Sequence, residues 1–136
     1  MNDALTEILS VVVERDVPHP PEKIWRALTQ PHLIEEWLMK NDFVPASGQR
    51  FKFSADWGGV DCEVRTIEPN RTLSYTWDTK DLTSLVTWTL VPTGAGTRIR
   101  MEQSGFRPDQ RPYFNGARAG WPRFIEAMER VLERIG

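Results

Sequence analysis

Arg50-Phe51-Lys52-Phe53-Ser54-Ala55-Asp56-Trp57 alternates without a break. Phe51, Phe53, Ala55 and Trp57 fall on one side, and charged or hydroxyl side chains fall on the other. Successive side chains of a strand point to opposite faces, so this pattern predicts a strand with one buried and one wet face. The same alternation runs on downstream. Gly58-Gly59 makes a turn, after which Val60, Cys62 and Val64 alternate with Asp61, Glu63 and Arg65. Pro69-Asn70 turns the chain again, into Leu73, Tyr75 and Trp77 interleaved with Ser74, Thr76 and Asp78. Val86, Trp88 and Leu90 follow, and then, past Thr93-Gly94-Ala95-Gly96, come Thr97, Ile99, Met101 and Gln103. Short connections between consecutive strands imply an antiparallel meander.

The flanks differ. Upstream, Ile8 to Val17 reads as a further strand, with Leu9, Val11, Val13 and Val17 on one side and Glu14 and Asp16 on the other. Pro18-His19-Pro20-Pro21 ends it, because proline cannot donate to a ladder, and the same prolines suit a helical first turn. Ile24, Trp25 and Leu28, then Leu33, Ile34, Trp37 and Leu38 beyond Pro31, predict two short helices. At the far end Trp121, Phe124, Ile125, Met128, Val131, Leu132 and Ile135 recur at three- and four-residue steps, opposite Glu126, Glu129, Arg130, Glu133 and Arg134. Pro122 fits a first turn, which predicts a helix beginning near Trp121 and leaves 109–119 as a separate helical turn or loop. The order defines an α+β chain: a curved antiparallel sheet of about six strands wrapped round a long C-terminal helix, with two short helices after the first strand.

At 136 residues the chain has room for one domain, taken as 1–136. Seventeen Lys and Arg against nineteen Asp and Glu give a charge of −2, which argues against a sequence-independent nucleic-acid binder. Cys62 is the only cysteine, so an internal disulfide and a thiolate-rich zinc site are excluded and a reducing compartment is expected. The opening residues 1–7 lack a signal-peptide pattern, and no apolar run approaches the ~18 residues of a membrane span. The expectation is a cytoplasmic protein. Six Trp and six Phe are a large aromatic stock, suited to a ring-filled core or a ring-lined concavity.

This order, with these residues, resembles the START-like (SRPBCC, helix-grip) superfamily, and within it the group named after the C-terminal domain of the activator of Hsp90 ATPase. The marks are Val17-Pro18, Pro21-Glu22-Lys23-Ile24-Trp25, Pro31-His32-Leu33-Ile34-Glu35-Glu36-Trp37 and Gly48 before the Phe51/Phe53 strand. Val86-Thr87-Trp88-Thr89-Leu90, Gly96-Thr97-Arg98-Ile99, Ser104-Gly105-Phe106 and Gly120-Trp121 continue the series, over about residues 8–135. The resemblance implies an apolar cavity between sheet and long helix, used in the superfamily for hydrophobic ligands, and in some members for cyclase, hydrolase or chaperone-binding work. The eukaryotic activator carries a separate N-terminal domain for which 136 residues leave no space, so direct activation of Hsp90 is not part of the expectation.

Candidate site residues follow from the shared face. Phe51, Phe53, Trp57, Tyr75, Trp77 and Trp88 point to one layer, and Met101, Trp121 and Phe124 join it. Trp37 and the amide of Gln103 complete the candidate cavity wall, with Gln103 placed to fix the polar end of a ligand or to satisfy a buried backbone group. Arg15 shares the apolar side of its strand, at the cavity rim or reaching back to water. His19 and His32 sit at helix entrances outside any metal-ligand spacing, and Cys62 reads as a small buried hydrophobe. No catalytic residue, metal or cofactor is assigned. The leading expectation is a non-enzymatic binder of a small hydrophobic or aromatic molecule. A chaperone-associated or stress-response module acting through its outer surface comes second, and a cyclase or hydrolase third.

Overall fold

The computed structural model describes residues 9–136; Ile8, the head of the first expected strand, lies outside the described residues. The order is β1 (Leu9–Val17), α1 (Pro21–Thr29), α2 (Pro31–Trp37), β2 (Lys40–Asn41), β3 (Arg50–Ala55), β4 (Gly58–Glu68), β5 (Thr72–Asp78), β6 (Thr83–Pro92), β7 (Thr97–Phe106), a 3-10 turn (Pro108–Gln110) and α3 (Arg111–Arg134). The strands form one antiparallel sheet in the order β1-β7-β6-β5-β4-β3-β2. The α+β grip is therefore as the sequence implies. It has seven strands rather than about six, because the two-residue β2 adds an edge to β3.

The buried faces are the alternating ones. Phe51, Phe53, Val60, Val64, Leu73, Tyr75, Val86, Trp88, Ile99 and Met101 are all buried, together with Ile24, Trp37, Ile125, Met128 and Leu132 from the helices. The rings meet edge to face: Trp37 on Trp88 at 5.5 Å, Phe51 on Tyr75 at 5.4 Å, and Trp88 on Trp121 at 5.9 Å. That geometry sets a ring's positive edge against its neighbour's negative face. Buried indoles find acceptors as well. Trp37 Nε1 donates to the Ala27 carbonyl at 2.8 Å and pins α2 to α1, and Trp88 Nε1 donates to the Tyr75 hydroxyl at 3.0 Å. Arg15, its side chain one-third exposed to water, pairs with Glu129 of α3 at 2.8 Å and ties β1 to the helix.

Two glycines are required by their surroundings. A Cβ on Gly96 would fall 2.0 Å from the Val17 carbonyl, so the β6–β7 turn can close on the end of β1 only without a side chain. Gly105 has φ +114° at a register shift between β1 and β7, and its Cβ would meet the Thr83 carbonyl at 2.8 Å. The irregularity reverses the parity of β7. After Met101 and Gln103 strict alternation would bury residue 105, but it is Phe106 that turns inward and is fully buried.

Two expectations are corrected. The strand ends at Ala55, one step before Asp56-Trp57 enter the tight connection to Gly58, and Trp57 is 67% exposed rather than inward. The long helix begins at Arg111, not near Trp121, so 111–119 is helical and Pro122 lies inside. Proline there forgoes the bond to the Arg118 carbonyl, which belongs to an exposed residue within reach of water. Tertiary anchors hold the first turns despite their poor intrinsic propensity. Gln110 Nε2 donates to the Asp81 carbonyl at 2.5 Å, the Tyr113 hydroxyl donates to the Asp81 carboxylate at 3.2 Å, and Phe114 packs on Phe106 at 5.7 Å.

Candidate functional site

Beneath the first half of α3 the ring layer stops short of the helix and leaves a half-open pocket of about 550 Å³. Its roof is the α3 face formed by Tyr113, Gly116, Ala117, Gly120 and Phe124. Its floor is Trp77 of β5, Gln103 and Phe106 of β7, and Trp121. Leu38 and Met39 close one side, Thr79 and Leu82 of the β5–β6 turn another, and Ala55 and Trp57 stand at the end of β3. The missing volume has a local cause. Gly116 and Gly120 lie one helical turn apart on one face, and a Cβ on Gly116 would meet nothing within 4 Å. The exposed aromatics Trp57 and Tyr113, the latter 42% exposed, both belong to this wall.

Among the described residues, the wall carries no Asp, Glu, Lys, Arg or His. Its one ionisable side chain is Tyr113, whose phenol the hydrogen bond to Asp81, and then that carboxylate's charge, push above the ordinary tyrosine value. Its polar centre is Gln103, 2% exposed. Trp121 Nε1 donates to Gln103 Oε1 at 2.7 Å, Gln103 Nε2 donates to Ser84 Oγ at 3.0 Å, and Ser84 donates in turn to the Trp77 carbonyl at 2.7 Å. Gln103 thus bridges side chains across three elements instead of satisfying a buried backbone group. Among the described residues, the buried side-chain polar atom left without a partner is Thr79 Oγ1, on a residue of the same wall.

Of the eleven residues that alternation and the resemblance nominate, Trp57, Trp77, Gln103, Trp121 and Phe124 line this pocket. Trp37, Phe51, Phe53, Tyr75, Trp88 and Met101 instead fill the core beside it, each buried among its neighbours. Tyr75 is sealed there, and burial drives its phenol well above the ordinary range. Met39, Thr79, Leu82, Phe106 and the Gly116–Gly120 face are wall residues that strand alternation does not reach. Gly105, as the mark of a bulge, was the available signal for Phe106. The glycine pair at helical spacing was the signal for the roof.

The other reactive groups stand elsewhere. Cys62 is buried on β4, and burial, with Asp78, Asp61 and Asp42 adding like charge, pushes its thiol far up and away from nucleophilic thiolate. His32 is exposed at the start of α2. His19 has its imidazole pKa lowered by desolvation and then by Lys23. A second concavity, about 680 Å³, lies along β3, β4 and β5 and includes Lys52, Asp61, Glu63, Arg65 and Asp78. Four of its charges pair, Lys52 with Asp61 at 3.5 Å and Arg65 with Glu63 at 3.4 Å, and these side chains stay in part or largely in water. The smaller pocket is the one with apolar walls and convergent polar groups.

A sheet curved round one helix, with a ring-lined opening between them, defines a START-like, helix-grip protein. Residues 18–133 match the family of activator of Hsp90 ATPase homolog 1-like proteins, and the chain belongs to it. The protein MLL2253 from Mesorhizobium loti shares 63% identity over 94% of this chain and 99% of its own, with a TM-score of 0.92. DynU16, from the dynemicin biosynthetic locus, is 26% identical with a TM-score of 0.82; the match covers 91% of this chain but 47% of DynU16. The Aha1 dimer from Colwellia psychrerythraea, at 20% identity over 92% of this chain and 96% of its own and a TM-score of 0.84, shares the fold. Among curated proteins nothing matches this chain. No helix of the described residues is long and apolar enough to cross a membrane.

Proposed function

We propose that the protein binds a small, uncharged hydrophobic or aromatic molecule in the pocket between the first half of α3 and the sheet. One observation carries this reading. The helix face over the pocket is Gly116, Ala117 and Gly120, where the next turns of the same helix present Trp121, Ile125 and Met128 to the core. Room for a guest is built into the sequence of the helix itself. Ligand pockets typically measure about 300–1,000 Å³ and are walled mainly by apolar and aromatic side chains, as here. Burying a charged guest against such walls would cost several kcal/mol, on the order of an unpaired buried ion, which favours a neutral one.

A catalytic reading finds less support, because acid–base work needs titratable groups converging on the guest. A docking module finds less as well. The exposed Val12 and Val91 stand singly, opposite Glu102 and Arg98 in the neighbouring strand, and the exposed rings Trp57 and Tyr113 belong to the pocket.

The test is uptake of a fluorescent apolar probe, read by quenching of tryptophan emission, in the native protein and in Gly120→Leu. The native chain is expected to take up the probe. The variant, whose Cβ meets only Phe124 at 3.9 Å, keeps its fold and loses at least about tenfold in affinity, roughly 1.4 kcal/mol. Equal uptake by both proteins would place the probe elsewhere and end this reading.

A further inference from the structure

Gln103 has more hydrogen-bonding capacity than the protein uses. An indole N–H can only donate, so the oxygen of the carboxamide must face Trp121 and its NH₂ must face Ser84; chemistry settles the orientation of the amide. The Ser84 hydroxyl already donates to the Trp77 carbonyl, so its oxygen accepts from Gln103 and the chain of bonds has one direction. A carboxamide NH₂ carries two hydrogens. One goes to Ser84, and among the described residues the other has no protein acceptor. This group is 2% exposed and belongs to the pocket floor, where Trp77 and Trp121 stand 5.2 Å apart. Buried polar groups are seldom left incompletely paired without a reason. Thr79, with its own unpartnered hydroxyl, stands on the same wall.

From this arrangement we infer that Gln103 is the specificity-determining residue of the pocket, and that its unused N–H selects neutral, flat guests bearing a carbonyl-type acceptor oxygen over hydrocarbons of the same shape. The inference rests on the binding reading above and adds to it the chemistry of the guest. The bonds from Trp121 and to Ser84 hold the amide plane in place before a guest arrives, so little ordering remains for binding to supply. A guest lacking the acceptor would bury the N–H without replacing its partner, and such mismatches discriminate more strongly than a lost apolar contact.

Fluorene and fluorenone test this, since they share one tricyclic skeleton and differ by a CH₂ against a C=O. Both dissociation constants are measured by tryptophan quenching in the native protein and in Gln103→Met. The native preference for the ketone, relative to that of the variant, is expected to be about threefold to tenfold, the range of one hydrogen bond. Comparing the two ratios cancels the ketone's greater affinity for water. Because Gln103→Met also strips Trp121 and Ser84 of a partner and can impair folding, the infrared C=O stretch of fluorenone bound to the native protein is the second measurement. It should lie below its position in hexane. If both compounds bind but the ratios match and the stretch is unshifted, Gln103 does not read the guest and the binding reading stands. Binding of neither compound to the native protein would remove both.

Discussion

The two halves of α3 lie over the same sheet and do opposite things. From Trp121 onward the helix sends Ile125, Met128, Val131 and Leu132 into the core, each at most 4% exposed. Before it, Gly116, Ala117 and Gly120 leave the pocket open, and the helix is held at its rim instead, by Asp81 bonding Gln110 and Tyr113 and by Phe114 on Phe106. One half derives its stability from buried area and the other from a few anchors. The pocket therefore lies under the less packed half of the helix, which is where the proposed binding would cost the fold little.

The largest test of this contrast is Met128→Ala. A fully buried methionine cut to alanine loses its transfer energy and leaves a cavity, so we expect destabilisation of about 2–5 kcal/mol in chemical denaturation. A loss under about 1 kcal/mol would mean the second half of the helix is not the packed one. In the first half, Gly116→Ala has the opposite sign. Its Cβ enters open space and a glycine leaves a helix interior, so stability should rise by about 0.5–1 kcal/mol. A fall would show that the residue is tightly surrounded and the roof closed.

The same contrast explains what could be read from the chain and what could not. Strand alternation from Phe51 to Met101 identified the buried face, since a period of two follows from backbone geometry and one-sided burial alone. It failed at Trp57 and gave no access to Phe106, both at places where the ladder ends or slips. A turn one residue early, or a bulge at Gly105, reverses parity without changing the local composition. The period of the second half of α3 was equally plain. The first half was hidden behind Pro122 and two glycines, which read as helix breakers, because its helicity comes from Asp81 and Phe106 elsewhere in the sequence. A pocket is a deficit of side chains, and periodicity reports side chains that are present. Hence the eleven candidates were legible as one layer, while their division into six core members and five wall members was not.

The smallest expected effect concerns the anchor at Tyr113. Its hydroxyl donates to the Asp81 carboxylate, and that bond raises the phenol above the tyrosine value of 10.0 in the folded state. A group whose pKa is raised on folding contributes stability below its unfolded value and loses it as pH climbs through the folded one. The anchor should thus be intact through neutrality and fail only above about pH 10, when a phenolate would face a carboxylate. Both partners are exposed, so global stability should barely change in Tyr113→Phe. The change belongs in amide exchange, corrected for the intrinsic effect of pH. Protection in 111–119 should drop in the variant at neutral pH, and in the native protein above pH 10, while the amides around Met128 keep theirs. If the whole helix loses protection together, its halves form one cooperative unit and the division between packed and anchored segments does not hold.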